Sequence, residues 1–216
     1  EADLLPGYAW SFPLGDGSAN VGFGIQRGSS IYSIQDMKAL WPNLLQRHHI
    51  ESALGPAATP EGPHRAWPIP ARLGALPLSA GPVLFVGDAA AATDPMTGEG
   101  IGQALETGRD AVRAMVTAGL DNPAGAAEHY RGALERGMIR DHDLAQTLSR
   151  VLRRRRRSDL AISIAGANNW TRRNFARWLF EDYPRAVIFT PRRWHRGMFS
   201  APGAFTDDSA RTINRA

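Results

Sequence analysis

Asp88 is the residue of this 216-residue chain whose type and setting point most directly to chemistry. It follows Gly87 after the apolar run Val-Leu-Phe-Val at 83–86, which the turn pair Gly81-Pro82 introduces and which reads as a buried strand. A carboxylate fixed at the end of a strand can accept hydrogen bonds from ligand hydroxyls. After a short run of small residues come Asp94-Pro95 and then Thr97-Gly98-Glu99-Gly100-Ile101-Gly102, where a helix is expected to open at Gly98. A helix start offers unpaired amides and the positive end of the helix dipole to an electron-rich ligand edge. In open α/β sheets, ligands bind outside the carboxyl ends of strands and at helix N-termini. Gly-Asp alone also describes a capped turn; the preceding strand and the glycine-rich helix start are what make it a candidate site.

A second candidate lies upstream. Tyr8, Trp10 and Phe12 alternate with Ala9 and Ser11, so the three rings share one face of a strand that ends at Pro13. Gly15-Asp16-Gly17 is a hairpin turn signal, and residues 19–25 alternate again, with Val21, Phe23 and Ile25 opposite Gly22 and Gly24. The aromatic face is either the wall of an apolar pocket or a set of cross-strand pairs packed on the protein's own core. Other chemistries find no support. Cysteine is absent, which removes disulfides, thiolate metal sites and a Cys nucleophile. No metal-ligand spacing or Ser-His-Asp order occurs, and His48-His49 point to different faces of a helix, as surface residues do. Gly22, Gly24 and Gly28 miss the G-x-G-x-x-G spacing by one residue, and no helix pattern opens there.

The residues Gly87-Asp88-Ala89-Ala90, Asp94-Pro95 and Gly98-Glu99-Gly100-Ile101 together resemble the second flavin-binding motif of FAD-dependent oxidoreductases related to aromatic hydroxylases. The run Pro6-Gly7-Tyr8-Ala9-Trp10-Ser11-Phe12-Pro13, followed by Asn20-Val21-Gly22-Phe23-Gly24, is similar to the aromatic substrate motif of the geranylgeranyl reductase family. The resemblance covers about residues 6–120 well and the last third weakly. It implies that Gly87, Asp88, Ala89, Pro95, Gly98, Glu99, Gly100, Ile101 and Gly102 bind FAD. Asp88 would take the ribityl hydroxyls, Pro95 would pack beside the ring, and the amides after Gly98 would reach its carbonyl edge. Glu99 is read as structural, in the first helical turn, with a catalytic role as the alternative. Tyr8, Trp10, Phe12 and Pro13 would line the isoprenoid cavity. The implied reaction is saturation of carbon–carbon double bonds in a lipid, quinone or chlorophyll precursor, with NAD(P)H or another reductant as electron donor. Two alternatives remain: an aromatic monooxygenase or halogenase sharing the flavin motif, and a flavin-less fragment serving as a membrane- or partner-binding module. No acid for the accompanying proton is identifiable.

The elements that must position these residues follow from the same reading. The expected fold class is α/β, with α+β character in the substrate part. Residues 1–73 would be the remainder of an antiparallel substrate domain, 74–150 the C-terminal part of an FAD-binding Rossmann-like domain, and 151–216 a basic helical tail with a disordered end. The ADP-binding fingerprint is absent, so the chain is expected to be the C-terminal portion of a larger protein. Residues 33–36 resemble a capping box before a helix that Pro42 kinks or divides. Trp67-Pro68-Ile69-Pro70 is extended; in the family a similar segment leads back into the flavin domain, and otherwise it is an edge strand or linker. Ile101, Ala104, Leu105, Val112, Met115 and Val116 form a helical apolar stripe, and a second helical region runs from 124 to about 156.

The composition, 43% hydrophobic and 21% charged, is ordinary for a soluble protein, and no apolar run is long enough to cross a bilayer. The charge is uneven. Residues 150–216 carry 15 arginines against five acids, whereas residues 1–149 carry ten basic residues against 16 acids. Arg153, Arg154, Arg155, Arg156 and Arg157 are consecutive. They read either as a solvated helix end or as a contact for anionic lipid. Residues 170–183, with Phe175, Trp178 and Leu179 flanked by Arg172, Arg173 and Arg177, have the pattern of an interfacial helix or of one packed on the body. No nucleic-acid fold accompanies the cluster. The expected location is the cytoplasm, with peripheral attachment to the cytoplasmic face of a membrane through the arginines.

Overall fold

The computed structural model describes residues 3–5, 7–26, 32–33, 35–179, 186, 191–194 and 196–198. Parts of the expectations above, including Pro6, Gly28, Ile34, residues 180–183 and the C-terminal end from 199, lie outside the described residues. Within them the protein is helix-rich with two small antiparallel sheets.

Strands β1 (Tyr8–Pro13) and β2 (Ala19–Gly24) form the hairpin that the Gly15-Asp16-Gly17 turn predicts. Gly15 and Gly17 both take positive φ, which an L side chain would oppose. Phe23 and Ile25 pack against a small core of Leu4, Leu40 and Leu44. Leu40 and Leu44 come from α1 (Met37–Leu45), and α2 (His48–Leu54) follows after a two-residue break. Pro42 is accommodated inside α1, so the division falls later than it, at Gln46-Arg47. Asp36, not Ser33, occupies the N-cap position of α1, and its side chain makes no capping hydrogen bond to the helix. Only the return half of the expected capping box forms: the Asp36 carboxylate accepts the Ser33 amide at 2.7 Å. Arg47 binds Asp3 through its two terminal guanidinium nitrogens, Nη2 at 2.6 Å and Nη1 at 3.0 Å, and holds that carboxyl down at about 2. His48 and His49 are exposed, as expected, though they begin a helix and do not close one.

The strand expected at 83–86 is much shorter. Only β3 (Ser79–Ala80) and β4 (Val83–Leu84) pair, and Val83 and Val86 are exposed. A strand is defined by its ladder, and among the described residues this segment has only a two-residue partner. The larger core lies beside it and joins Leu73, Leu78, Ala90, Ala92, Ala111, Ala114, Tyr130 and Leu134. It is built from α3 (Ile101–Ala118), α4 (Pro123–Arg136) and the turn at Gly87–Ala90. Asn122 caps α4 by accepting the Gly125 amide at 3.0 Å, with Pro123 at the first helical position. Tyr130 is fully buried, and its hydroxyl donates to the Phe85 carbonyl at 2.8 Å. Burial pushes this phenol up to about 12, so it stays a donor at any physiological pH.

The second helical region divides at Gly137 into α4 and α5 (Met138–Leu152). It divides again at Arg153-Arg154, before α6 (Arg155–Gly166) and α7 (Asn169–Leu179). Arg154 is extended, so Arg155, Arg156 and Arg157 open a helix. The arginine run therefore does not cap the C-terminus of one continuous helix.

The α3 stripe is reversed relative to expectation. Its buried face is Gln103, Thr107, Ala111 and Ala114, whereas Ile101 (75% exposed), Leu105 (72%) and Val116 (71%) face outward with Val112. Small side chains let α3 approach α4 closely. The apolar stripe is left without cover among the described residues, and a contiguous patch of this kind marks an interaction surface.

Two outcomes are expected. Tyr130→Phe leaves the Phe85 carbonyl without its buried donor and lowers stability by about 1–3 kcal/mol in chemical denaturation. Leu105→Glu with Val116→Glu changes stability by no more than about 0.5 kcal/mol per site, because both positions are exposed, yet reduces self-association of the chain in sedimentation velocity.

Candidate functional site

The site is built on a closed loop. Asp94 is buried (4% exposed), and its Oδ1 accepts the amides of Met96 and Thr97, both at 2.8 Å, and the Thr97 hydroxyl at 3.1 Å. The Asp94 amide donates to the Glu99 carbonyl and its own carbonyl accepts from Gly98, so both ends of the loop return to one residue. Gly98 takes φ +72, which closes the loop and favours glycine. Pro95 is half-buried, and its carbonyl accepts from Ser149 of α5 at 3.3 Å. The helix then begins at Ile101 with Gly100 as N-cap, three residues later than expected. Glu99 thus lies before the helix and outside its first turn, and is exposed. No side chain caps α3, and the amides of Ile101 and Gly102 keep their hydrogen-bonding capacity among the described residues. Ile101 and Gly102 occupy that turn and are exposed.

Gly87 to Ala90 is a 3-10 turn. Gly87 takes φ +54, and its amide donates to Thr107 Oγ1 at 2.9 Å. A Cβ there would lie 3.0 Å from that of Ala104. Thr107 Oγ1 in turn donates to the Gln103 carbonyl, so α3 holds the turn that carries Asp88. Asp88 and Ala89 are exposed. Asp88 Oδ1 accepts from Thr93 at 3.0 Å, and Oδ2 takes no hydrogen bond among the described residues. A Cβ on Gly100 would stand 3.3 Å from Thr93 Oγ1 and 3.6 Å from Asp88 Oδ1, so Asp88, Thr93 and the α3 start are neighbours. The extended segment after Trp67 ends beside them: Ala71 bridges Ala92, and the Arg72 amide donates to the Ala91 carbonyl at 2.9 Å.

The aromatic face meets this loop. Tyr8 and Trp10 lie 5.8 Å apart and Trp10 stacks with Phe12 at 6.3 Å. Trp10 pairs across the hairpin with Gly22 and its ring occupies the space a Cβ there would take, while its Nε1 donates to Asn20 at 2.9 Å. The Tyr8 hydroxyl reaches Gly98, where an added Cβ would stand only 2.7 Å away. Burial, then the charges of Glu99 and Asp94, push the Tyr8 phenol up and keep it protonated. Phe12 and Pro13 are exposed, further along the same strand. A cavity of about 230 Å³ lies beside the hairpin, lined by Leu4, Gly7, Tyr8, Ala9, His49 and Ile50; no residue of the 87–102 loop lines it. The aromatic face therefore forms an open wall.

Behind the loop, α5 supplies His142, which is buried, with Nε2 3.0 Å from the Gln146 amide nitrogen. Desolvation pushes this imidazole below its ordinary value, against the raising effects of the Ala71 carbonyl and the charges of Asp94 and Asp143. Thr107 and His142 owe these roles to partners distant in sequence, so no local pattern marks them. Thr-Asp-x-x-Thr at 93–97 does carry the signature of a side-chain-closed turn.

Over part of its length the chain is similar to proteins named as reductases. It is 35% identical over 139 residues to the menaquinone reductase of Mycolicibacterium smegmatis, covering 60% of this chain and 32% of that protein. It is 36% identical over 118 residues to digeranylgeranylglycerophospholipid reductase 2 of Methanopyrus kandleri, covering 50% and 27%. With the digeranylgeranylglycerophospholipid reductase of Methanocella arvoryzae it shares 33% identity over 153 residues, covering 67% and 36%. No family model and no solved structure matches. The chain is related to the geranylgeranyl reductase family over the shared part, which is about a third of the length of the curated relatives it matches.

The buried histidine generates a prediction. Its pKa in the folded state lies below the unfolded value near 6.5, so the unfolded chain binds the extra proton and stability falls as pH drops through that value. The Asp3–Arg47 pair is lost only as pH falls from 3.8 towards about 2, well below this window. The fall in melting temperature between pH 7.5 and 5.5 is expected to shrink in His142→Gln; an equal fall in both proteins would remove His142 as its source.

Proposed function

We propose that this chain forms part of an FAD-dependent reductase that saturates double bonds of an isoprenoid chain. The supporting observation is the approach of the Tyr8 hydroxyl to Gly98, which brings the aromatic face to the loop beside Asp88. The residues present fit a flavin. Asp88 has a free carboxylate oxygen for ribityl hydroxyls, and the uncapped start of α3 has amides for the ring's carbonyl edge. Gly98 and Gly100 admit close approach, since a side chain at either would press on Tyr8 or on Thr93. Pro95 would pack beside the ring, and Gly87 and Ala89 would shape the turn that presents Asp88. When bound, FAD supplies the hydride, with NAD(P)H or another reductant restoring it.

The protein's own share is position and electrostatics. Amides and the dipole end of α3 favour negative charge on the ligand edge they meet. Tyr8, Trp10, Phe12 and Pro13 give an isoprenoid chain an apolar, ring-lined wall. The names of the relatives, which include a menaquinone reductase and digeranylgeranylglycerophospholipid reductases, support a quinone tail or a membrane lipid as substrate. The expected place of work is the cytoplasmic face of a membrane. No helix among the described residues is long and apolar enough to cross one. The G-x-G-x-x-G spacing that would serve the ADP half of the flavin does not occur in these 216 residues.

Mass spectrometry of quinones and polar lipids tests the reading. A strain lacking this coding region is expected to lose partly saturated isoprenoid chains, and restoring it with Asp88→Ala is expected to recover less than about a tenth of them. An unchanged profile would sink the assignment, and oxygen-dependent hydroxylation would move it to the monooxygenases. The purified 216-residue chain should take up little FAD by itself.

A further inference from the structure

We infer that α6 and α7 form a docking surface for an anionic phospholipid bilayer, with the arginines holding headgroups and a neighbouring apolar face entering the interface. This rests on the lipid-substrate reading for its purpose, though not for its evidence. Residues 150–179 carry nine arginines and one acid, Asp159. Arg153, Arg154, Arg155, Arg156 and Arg157 are all exposed, and the sole ion pair among them, within the described residues, is Arg155 with Asp159 at 3.7 Å. The α3 arginines differ: Arg109 and Arg113 pair with Glu106 and Asp110.

The position of the cluster adds a second argument. Arg155, Arg156 and Arg157 form the first turn of α6, where the dipole favours acids and opposes cations. Among the described residues only Arg155 of the three has a counter-ion, so Arg156 and Arg157 stand against the dipole uncompensated. An external anion would offset both their mutual repulsion and the dipole.

The remaining geometry selects a bilayer over a soluble polyanion. Ser158 is buried, and Ala161 and Ala165 are half-buried, so this face of α6 turns inward. Arg157, Leu160 and Ile164 follow at i, i+3 and i+7 on the outward side, with Leu160 and Ile164 about 60% exposed. Ile162 and, on α7, Trp170 are exposed nearby in the chain. Apolar side chains continuous with a cationic turn, and a tryptophan beside them, match the layered chemistry of a headgroup region over acyl chains. Nucleic acid would use the charge and leave Leu160 and Ile164 in water. On α7 the expected interfacial face is corrected: Asn174 and Arg177 are buried, and Trp170 and Phe175 are the outward residues.

Vesicle flotation of the full 216-residue chain tests this without flavin or substrate, so its outcome is separate from that of the reductase reading. At 100 mM NaCl, partition onto phosphatidylcholine vesicles containing 30% phosphatidylglycerol is expected to exceed that onto pure phosphatidylcholine by at least about tenfold. Replacing Arg153, Arg154, Arg156 and Arg157 with Gln should remove that preference. Leu160→Ser with Ile164→Ser should keep binding at low salt and lose what remains at 500 mM NaCl. Brominated lipid should quench the wild-type chain more than Trp170→Phe. Circular dichroism confirms that each variant keeps its helices. Equal binding to neutral vesicles, an unchanged arginine variant, or tighter binding to a DNA duplex than to the anionic vesicles would overturn the proposal. Vesicle binding lost on changing Leu105 and Val116 of α3 and retained without the arginines would also overturn it.

Discussion

The buried carboxylate of Asp94 is the constraint on which the candidate site depends. One oxygen closes three hydrogen bonds over the next three residues, and the backbone of the same residue fixes both Gly98 and Glu99. Without that closure, the backbone at Gly98 would have no reason to hold φ +72 or to meet Tyr8. A carboxylate in so little water is tolerated because amides and a hydroxyl replace the lost hydration. Asp88, five residues from Thr93 and tied to it, inherits its position from the same turn. The two aspartates therefore divide the work: one is spent on architecture and the other is left with an open oxygen.

That division explains what the sequence showed and what it hid. The left-handed backbone at Gly87 and Gly98 suits the residue type found there, whereas a role for Asp88, Pro95 and the glycines around Glu99 in holding a flavin comes from the resemblance and stays a proposal. The hairpin was legible because alternation and Gly15-Asp16-Gly17 are local signals, and the alternation placed Trp10 over Gly22. Thr107 was not legible. Its role is to receive the Gly87 amide from 20 residues away, and a threonine in mid-helix carries no mark of that. His142 was hidden for the same reason, as its neighbours Ala71 and Asp94 are distant in sequence.

The boundaries that shifted did so where periodicity and tertiary cover part company. Apolar spacing on α3 correctly predicted a helix, yet gave the wrong inward face, because Ala111, Ala114 and Thr107 pack closely on α4 while Leu105 and Val116 do not. Periodicity reports that a stripe needs burial; it does not say which partner buries it. The 83–86 segment makes the same point for strands: its composition suits a buried ladder, and only two of its residues have one here. The helical region expected from 124 to about 156 is interrupted at Gly137 and at Arg153-Arg154, where one glycine and one extended residue outweigh helical spacing.

The two uncovered surfaces follow different physics and so call for different partners. On α3, the arginines are internally neutralised and the exposed side chains are aliphatic. Such a face gains most by exclusion of water against another apolar face of protein, where unpaired charge would be a cost. Around α6 the balance is reversed: among the described residues only Arg155 of the five-arginine run has a counter-ion, and the apolar residues sit at its edge. Burying those guanidinium groups in a protein interface would require a matching set of acids. A bilayer surface provides anions at high density and leaves the guanidinium groups in the hydrated headgroup layer, so the desolvation cost is largely avoided. The same residues that would be a liability in a packed interface are thus favourable against a lipid surface. On the proposed reading, an aromatic wall open at one side gains from standing next to the phase that holds a long apolar chain.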